Sequence, residues 1–224
     1  MTKGVITKTT KLAMTIVEKY LEKGDIVVDA TAGNGHDTLA LANLVGETGK
    51  VYAFDIQKDA IEKTRNLLAE YSYFNNQKID QYDTTGKNAG ALSVENDNLQ
   101  VVDNVMLICD SHEKIADYVE EKGQVSAVLF NLGYLPSGDK SISTTAKSST
   151  KAIGESLKTL KKGGMVSIVM YPGTEIGKTE RDAVLSYAQN LPHNEYHVCY
   201  CNFPNQPETS PEILLIEVKT APML

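Results

Sequence analysis

The stretch Val27-Val28-Asp29-Ala30-Thr31-Ala32-Gly33-Asn34-Gly35-His36-Asp37-Thr38 decides how this chain folds. An apolar, β-branched run ends in an acid, a turn carries Gly-x-Gly, and an amphipathic segment follows at once. The backbone must bend sharply there, and glycine lets it do so without a Cβ in the way of an approaching ligand. The free N–H groups at the start of the next helix favour electronegative or anionic ligand groups. A strand, a glycine turn and a helix in that order open a doubly wound α/β sheet.

The rest of the chain repeats the rhythm. Ile26–Ala30, Val51–Asp55, Val105–Asp110, Val125–Asn131 and Met165–Tyr171 are nearly continuous apolar runs, the pattern of parallel strands covered on both faces. Helical patterns alternate with them at Lys8–Glu22, His36–Val45, Lys58–Tyr71, His112–Lys122 and Ser149–Lys161. Glu195–Asn202 and Glu212–Lys219 have no helix between them and are joined by a turn-rich segment, so they are expected to form an antiparallel hairpin at one sheet edge. The expectation is an α/β fold with a seven-stranded, mostly parallel sheet and helices on both faces. Residues 1–224 read as a single domain, with a polar insertion at about residues 75–100 that carries at most a short strand or turn of its own.

Composition sets the outer limits. With 224 residues, 42% hydrophobic, the chain can bury a sizeable core, which excludes a disordered or collagenous protein. No run approaches the roughly 18–20 apolar residues of a membrane span, and Met1–Tyr20 lacks the apolar stretch of a secretory signal. Cys109, Cys199 and Cys201 suit reduced thiols of a cytoplasmic protein better than a disulfide framework. The formal charge of −7 argues against broad binding to long nucleic acid, while a compact RNA read by a local basic patch fits. The four histidines show no metal-ligand spacing, so no metal is expected. Monomer and homodimer both fit, the latter through the antiparallel edge.

Asp55 ends the second strand about twenty residues after the glycines, where a carboxylate in a doubly wound fold accepts from ribose hydroxyls. Gln57 can add an amide beside it. The ligand therefore contains adenosine. A dinucleotide fingerprint asks for a third Gly or Ala, and that position is Thr38. An acid at Asp29 with Gly33, Asn34, Gly35, His36 and Asp37 suits S-adenosylmethionine instead, whose α-ammonium group needs an acceptor such as Asp29. The third strand ends Cys109-Asp110-Ser111-His112, where Asp110 can accept from the adenine amino group and Ser111 can cap the next helix.

Asn131-Leu132-Gly133-Tyr134 ends the fourth strand, which adjoins the first at the switch point where ligands bind. It resembles the Asn-Pro-Pro-Tyr motif of amino-group methyltransferases, in which the Asn and a backbone carbonyl hold the acceptor nitrogen and the ring stacks on substrate. Methyl transfer is an in-line displacement, so the nitrogen lone pair must be aimed, and positioning of this kind supplies up to roughly 7–11 kcal/mol. Leu132 and Gly133 stand where the motif has prolines, which suits a flexible aliphatic amine. The hydroxyls and ammonium groups of Lys140, Ser141 and Ser143 can grip phosphates, and Asp139 can help to deprotonate a cationic amine.

Taken together, VVDATAGNGHDT, FDIQ, CDSH and FNLGYLPSGDKSIST resemble the small bacterial class I methyltransferases grouped as rRNA methylases, from about residue 8 to residue 219 apart from the insertion. The resemblance implies a Rossmann-like class I fold and the activity of the MnmM type: methylation of 5-aminomethyl-2-thiouridine at the tRNA wobble position. It also implies that Asn34, His36, Asp55, Gln57, Ser111 and His112 contact the cofactor. Asn131 would contact both cofactor and acceptor. Tyr134, Asp139 and the loop from Lys140 to Ser143 would face the anticodon stem-loop, with Leu132 and Gly133 beside the substrate. Other readings of the same residues are a methyltransferase of rRNA or of a small molecule, an NAD(P)-dependent oxidoreductase, and a non-catalytic cofactor-binding module.

Overall fold

A computed structural model describes residues 8–79, 99–102, 104–133 and 143–220. The strands are β1 (Ile26–Asp29), β2 (Lys50–Phe54), β3 (Leu99–Val102), β4 (Val105–Ile108), β5 (Val125–Asn131), β6 (Leu160–Met170), β7 (Tyr196–Cys201) and β8 (Glu212–Val218). The helices are α1 (Thr9–Tyr20), α2 (His36–Val45), α3 (Lys58–Ile79), α4 (Ile115–Tyr118), α5 (Ala146–Thr159) and α6 (Glu175–Gln189). All strands join one sheet in the order β3-β4-β2-β1-β5-β6-β8-β7. The five expected parallel strands and the closing β7–β8 pair are all present, and the pair is antiparallel.

Parity along each strand explains the two layers. Val28, Tyr52, Phe54, Ile108, Val128, Phe130, Val166 and Ile168 point to one face, where Ile115 of α4, Ile153 and Leu157 of α5 and Val184 of α6 cover them. Their neighbours Val27, Val51, Ala53, Leu107, Ala127 and Leu129 point to the other, under Val17 of α1, Leu41 and Val45 of α2, and Ile61 and Leu68 of α3. Successive side chains of a strand face opposite ways, so apolar residues at every position require helices on both sides.

Four features depart from the sequence expectations. The short strand allowed for in the insertion is β3, which straddles its expected end, pairs antiparallel with β4 at the sheet edge and makes eight strands where seven were expected. Residues 80–98 of that insertion lie outside the described residues. Helix α3 continues past Tyr71 to Ile79.

The helix expected over His112–Lys122 is a 3-10 turn at His112–Lys114 followed by α4, which stops at Tyr118. Bonds to a distant strand explain the stop: Glu121 accepts from Tyr52 Oη at 2.6 Å and from Lys50 Nζ at 3.0 Å, and Gly123 takes φ +74°. Those contacts outweigh the continuation of a short helix.

Helix α6 has no counterpart among the periodic segments read from sequence. Its start is marked by Thr174, whose hydroxyl accepts from the Gly177 N–H. Only Glu180, Val184 and Ala188 are buried along it, too sparse an apolar stripe to stand out.

Candidate functional site

The strand order reverses direction at β1, which lies between β2 and β5, and a cleft of about 1000 Å³ opens over the strand ends there. The turn after β1 forms its floor. Gly33 takes φ +56° and donates its N–H to Asp55 Oδ2 at 3.0 Å, while Asp55 Oδ1 accepts from the Gln57 N–H at 2.9 Å. Asp55 therefore braces the glycine turn as well as facing the cleft, and burial raises its pKa against those two backbone bonds. A carboxylate offers about four acceptor sites, so about two remain beyond these backbone bonds.

Asn34, His36, Asp37, Asp55, Gln57 and Asp110 all line the cleft. So do Gly33, Ser111, His112, Asn131, Leu132, Gly133 and Ser143. Ser111 is also the N-cap of the 3-10 turn, accepting from the Glu113 N–H. Asp110 accepts from Ser111 N–H, Lys114 Nζ and Tyr118 Oη. Desolvation pushes its pKa upward, but those three bonds outweigh it and hold the carboxyl below its usual range. His112 is buried, its pKa lowered by desolvation; the Nδ1 proton goes to the Ala30 carbonyl at 3.2 Å, which leaves Nε2 as an acceptor.

Two residues expected at the ligand are not among those lining the cleft. Asp29 is fully buried at the end of β1, where it accepts from Thr31 N–H at 3.1 Å and Thr38 Oγ1 at 2.6 Å. Burial pushes its carboxyl up to about 7, with Asp37 adding to the rise and the Thr38 bond opposing it. It ties the glycine turn to α2 beneath the ligand floor, and Asp37 is the acid that faces the cleft. Gly35 takes φ +84°, and its bare side is turned to α3: a Cβ there would come within 2.8 Å of Thr64 Cα. Close packing of the turn against a helix, not approach of a ligand, requires that glycine.

The end of β5 is fixed by hydrogen bonds. Asn131 N–H donates to Thr31 Oγ1 at 2.8 Å, and its side-chain Nδ2 donates to Asp37 Oδ2 at 2.8 Å. Because a carboxylate only accepts, the amide oxygen of Asn131 is the end turned away from Asp37. Leu132 N–H donates to the Val169 carbonyl at 2.9 Å and Gly133 N–H to Thr144 Oγ1 at 2.7 Å. These bonds supply the rigidity that two prolines would otherwise give. Tyr134, Asp139, Lys140 and Ser141 lie outside the described residues.

Sequence reasoning missed the wall beyond β6. Tyr171, Thr174, Gly177 and Glu180 line the cleft there, with Thr144 and Ser148 from the start of α5. Tyr171 directly follows β6, at the same end of the sheet as the glycine turn. That placement was the available signal.

Among the described residues no group of three or more His, Cys, Asp or Glu could hold a metal ion, and no helix is long and apolar enough to cross a membrane.

The chain is similar to the crystal structure of the "putative rRNA-methylase" of Clostridium thermocellum, at 33% identity and a TM-score of 0.79, over 95% of this chain and 98% of that one. A Streptococcus mutans "putative methyltransferase", solved in complex with SAH, is 33% identical with a TM-score of 0.73, over 97% and 99% of the two chains. The chloroplastic tRNA (mnm(5)s(2)U34)-methyltransferase of Arabidopsis thaliana is 36% identical over 205 residues, which are 89% of this chain and 66% of that protein. The family model described as "Putative rRNA methylase" matches residues 51–217. By that match, over most of its length and across both the second strand and the β5 end, the chain belongs to the rRNA methylase family.

Proposed function

We propose that this protein is an S-adenosylmethionine-dependent N-methyltransferase that converts 5-aminomethyl-2-thiouridine at the tRNA wobble position to 5-methylaminomethyl-2-thiouridine. One observation carries the reading. Asp37, Asp55, Asp110, Glu113 and Glu180 line the cleft, and no lysine or arginine is among its described lining residues. Asp110 and Glu113 are paired with Lys114 and Lys151; Asp37, Asp55 and Glu180 have no such ion pair among the described residues. A pyrophosphate would be repelled by that field, whereas a sulfonium nucleoside with an α-ammonium group, and an alkylammonium acceptor, are drawn to it. The name carried by the Arabidopsis relative supports the same substrate.

The residues present fit the cofactor. Asp55 and Gln57 would hold the ribose, Asp110 and Ser111 the adenine, and Asp37 with His36 and the Gly33–Asn34 backbone the amino-acid end. When bound, the cofactor supplies an electrophilic methyl group on a sulfonium centre. Asn131 orients the acceptor: its amide oxygen, held by the bond to Asp37, accepts one N–H of the amine and so directs the lone pair. The bonds from Leu132 and Gly133 keep that oxygen in place. Tyr134, Lys140, Ser141 and Ser143 would receive the anticodon stem-loop. The reading makes the chain one catalytic domain that works on tRNA in the cytoplasm.

The test is mass spectrometry of digested tRNA and rRNA after incubation of each with purified protein and labelled methyl donor. Label in the wobble nucleoside of tRNA carrying the free aminomethyl group is expected. Label in rRNA alone would favour the activity named by the family description and end the tRNA reading.

A further inference from the structure

Five carboxylates line the cleft; two are paired with lysines, and two more belong to the cofactor end of the proposed site. Glu113 pairs with Lys151 at 3.0 Å and Asp110 with Lys114 at 3.0 Å. Asp55 is tied to the Gly33 and Gln57 amides, and Asp37 to Asn131. Glu180 of α6 differs. It is only 3% exposed, and among the described residues its partners are hydroxyls, Ser149 Oγ at 2.6 Å and Thr144, with no cation against it. It stands on the β6 side of the switch point with Tyr171, Thr174 and Gly177, whereas Asp55 and Asp110 stand on the β2–β4 side. Two hydroxyl donors leave acceptor capacity on a carboxylate.

We propose that Glu180 receives the methyl acceptor: it binds the incoming alkylammonium R–CH2–NH3+ and takes one of its protons. The inference rests on the amine substrate proposed above. An alkylammonium, like Lys at about 10.4, is protonated near neutral pH and has no lone pair to attack with. Transfer of one proton from nitrogen to Glu180 leaves R–CH2–NH2 and a neutral carboxylic acid. The freed pair forms the C–N bond as the methyl group leaves sulfur with the S–C electrons staying behind. The secondary ammonium keeps the positive charge, and Glu180 returns its proton to water.

Burial raises the Glu180 pKa, with the Ser149 and Thr144 hydroxyls opposing, so the carboxyl holds a proton more readily than an exposed one. Titratable and charged groups that share the cleft or the packed helix α5 are Tyr171 after β6, Asp37 of the cleft lining, and Lys151 of α5 paired with Glu113. On α6 they are Arg181, turned to Glu212 and Asp182, and Lys178, turned to Glu175.

The test is single-turnover methylation of an aminomethyl-bearing tRNA by wild type and Glu180→Gln across pH, with cofactor affinity measured by calorimetry. Glu180→Gln is expected to lose about 100-fold near neutral pH with cofactor affinity kept. Its rate should then recover about tenfold per pH unit as free amine forms. A wild-type rate and profile in the variant overturns the proposal. So does a loss equal at every pH, which marks a purely structural role through Thr144. Ser149→Ala removes a donor from the charged carboxylate and should move the acid limb of the wild-type profile to higher pH. An unmoved limb overturns the proposal even if Glu180→Gln fails to fold. Wild type that binds the cofactor but leaves this tRNA unmethylated overturns the substrate reading and this inference together.

Discussion

Asn131 Nδ2 and Asp37 Oδ2 lie 2.8 Å apart, joining the end of β5 to the first turn of α2 across the mouth of the cleft. The bond sets which end of the Asn131 amide faces the cleft. Hydrogen bonds to charged groups contribute about 1.5–3 kcal/mol. Asp37→Ala should therefore lower the methyl-transfer rate at saturating cofactor by about 10- to 100-fold, with a fall in melting temperature of about 3–10 °C. Single-turnover kinetics beside a thermal melt checks this; an unchanged rate removes Asp37 from the positioning of Asn131.

Gly35 and Gly133 make a contrasting pair. Gly35→Ala combines φ +84° with a Cβ 2.8 Å from Thr64 Cα, where backbone on both sides must give. At Gly133 the φ is +137° and the nearest atom is Tyr171 Cδ2 at 3.9 Å. Left-handed strain alone costs roughly 1–2 kcal/mol, and overpacking adds about 1–3 kcal/mol. Urea denaturation should show Gly35→Ala the more destabilised of the two, by about 1–3 kcal/mol.

Asp29 makes stability depend on pH with an unusual sign. Its folded pKa of about 7 lies above the ordinary carboxylate value of 3.8, so the folded state binds the extra proton between them. That contribution is complete below about pH 4 and is lost as pH rises through about 7. His112 works in the opposite direction: its depressed pKa gives stability above 6.5 that fades as pH falls through the folded value. Asp29→Asn keeps the shape and removes the first effect alone. Its urea midpoint should exceed that of wild type at about pH 8 and the gap should close toward about pH 5. A gap that does not change with pH contradicts the assignment.

Asp55 braces the Gly33 turn and offers its remaining acceptor sites to the cleft. Asp55→Asn should weaken cofactor binding by about 10- to 100-fold in calorimetry, on the scale of one charge-assisted bond. Unchanged affinity would move the ribose elsewhere.

The repeating apolar runs made the sheet legible because strands buried on both faces have to be apolar at every position, as Val27 and Val28 show by feeding opposite cores. The C-terminal hairpin was legible from the missing helix between its strands. Helix α6 was not, since its three buried residues leave a mostly polar surface. In the site, the sequence marked Asp55, Asp110 and Asn131 through their places at strand ends. It could not show that Asp29 turns inward to Thr38, because the side of a strand end that a ligand occupies is set by neighbouring strands. Glu180 escaped for a related reason: it comes to the cleft through helix packing, from a position with no motif around it.

The clamp between Gly133 and Thr144 has an evolutionary consequence. Gly133 N–H donates to Thr144 Oγ1, and Thr144 N–H to the Gly133 carbonyl at 3.0 Å, so the point where the chain leaves β5 is tied to the point where it enters α5. Whatever sequence runs between the two residues, its ends are already brought together. Doubling its length costs only about 0.6 kcal/mol in closure entropy. On the proposed function, in which this segment receives the tRNA, it can drift, lengthen or be exchanged among descendants of this scaffold while the turn after β1 stays untouched.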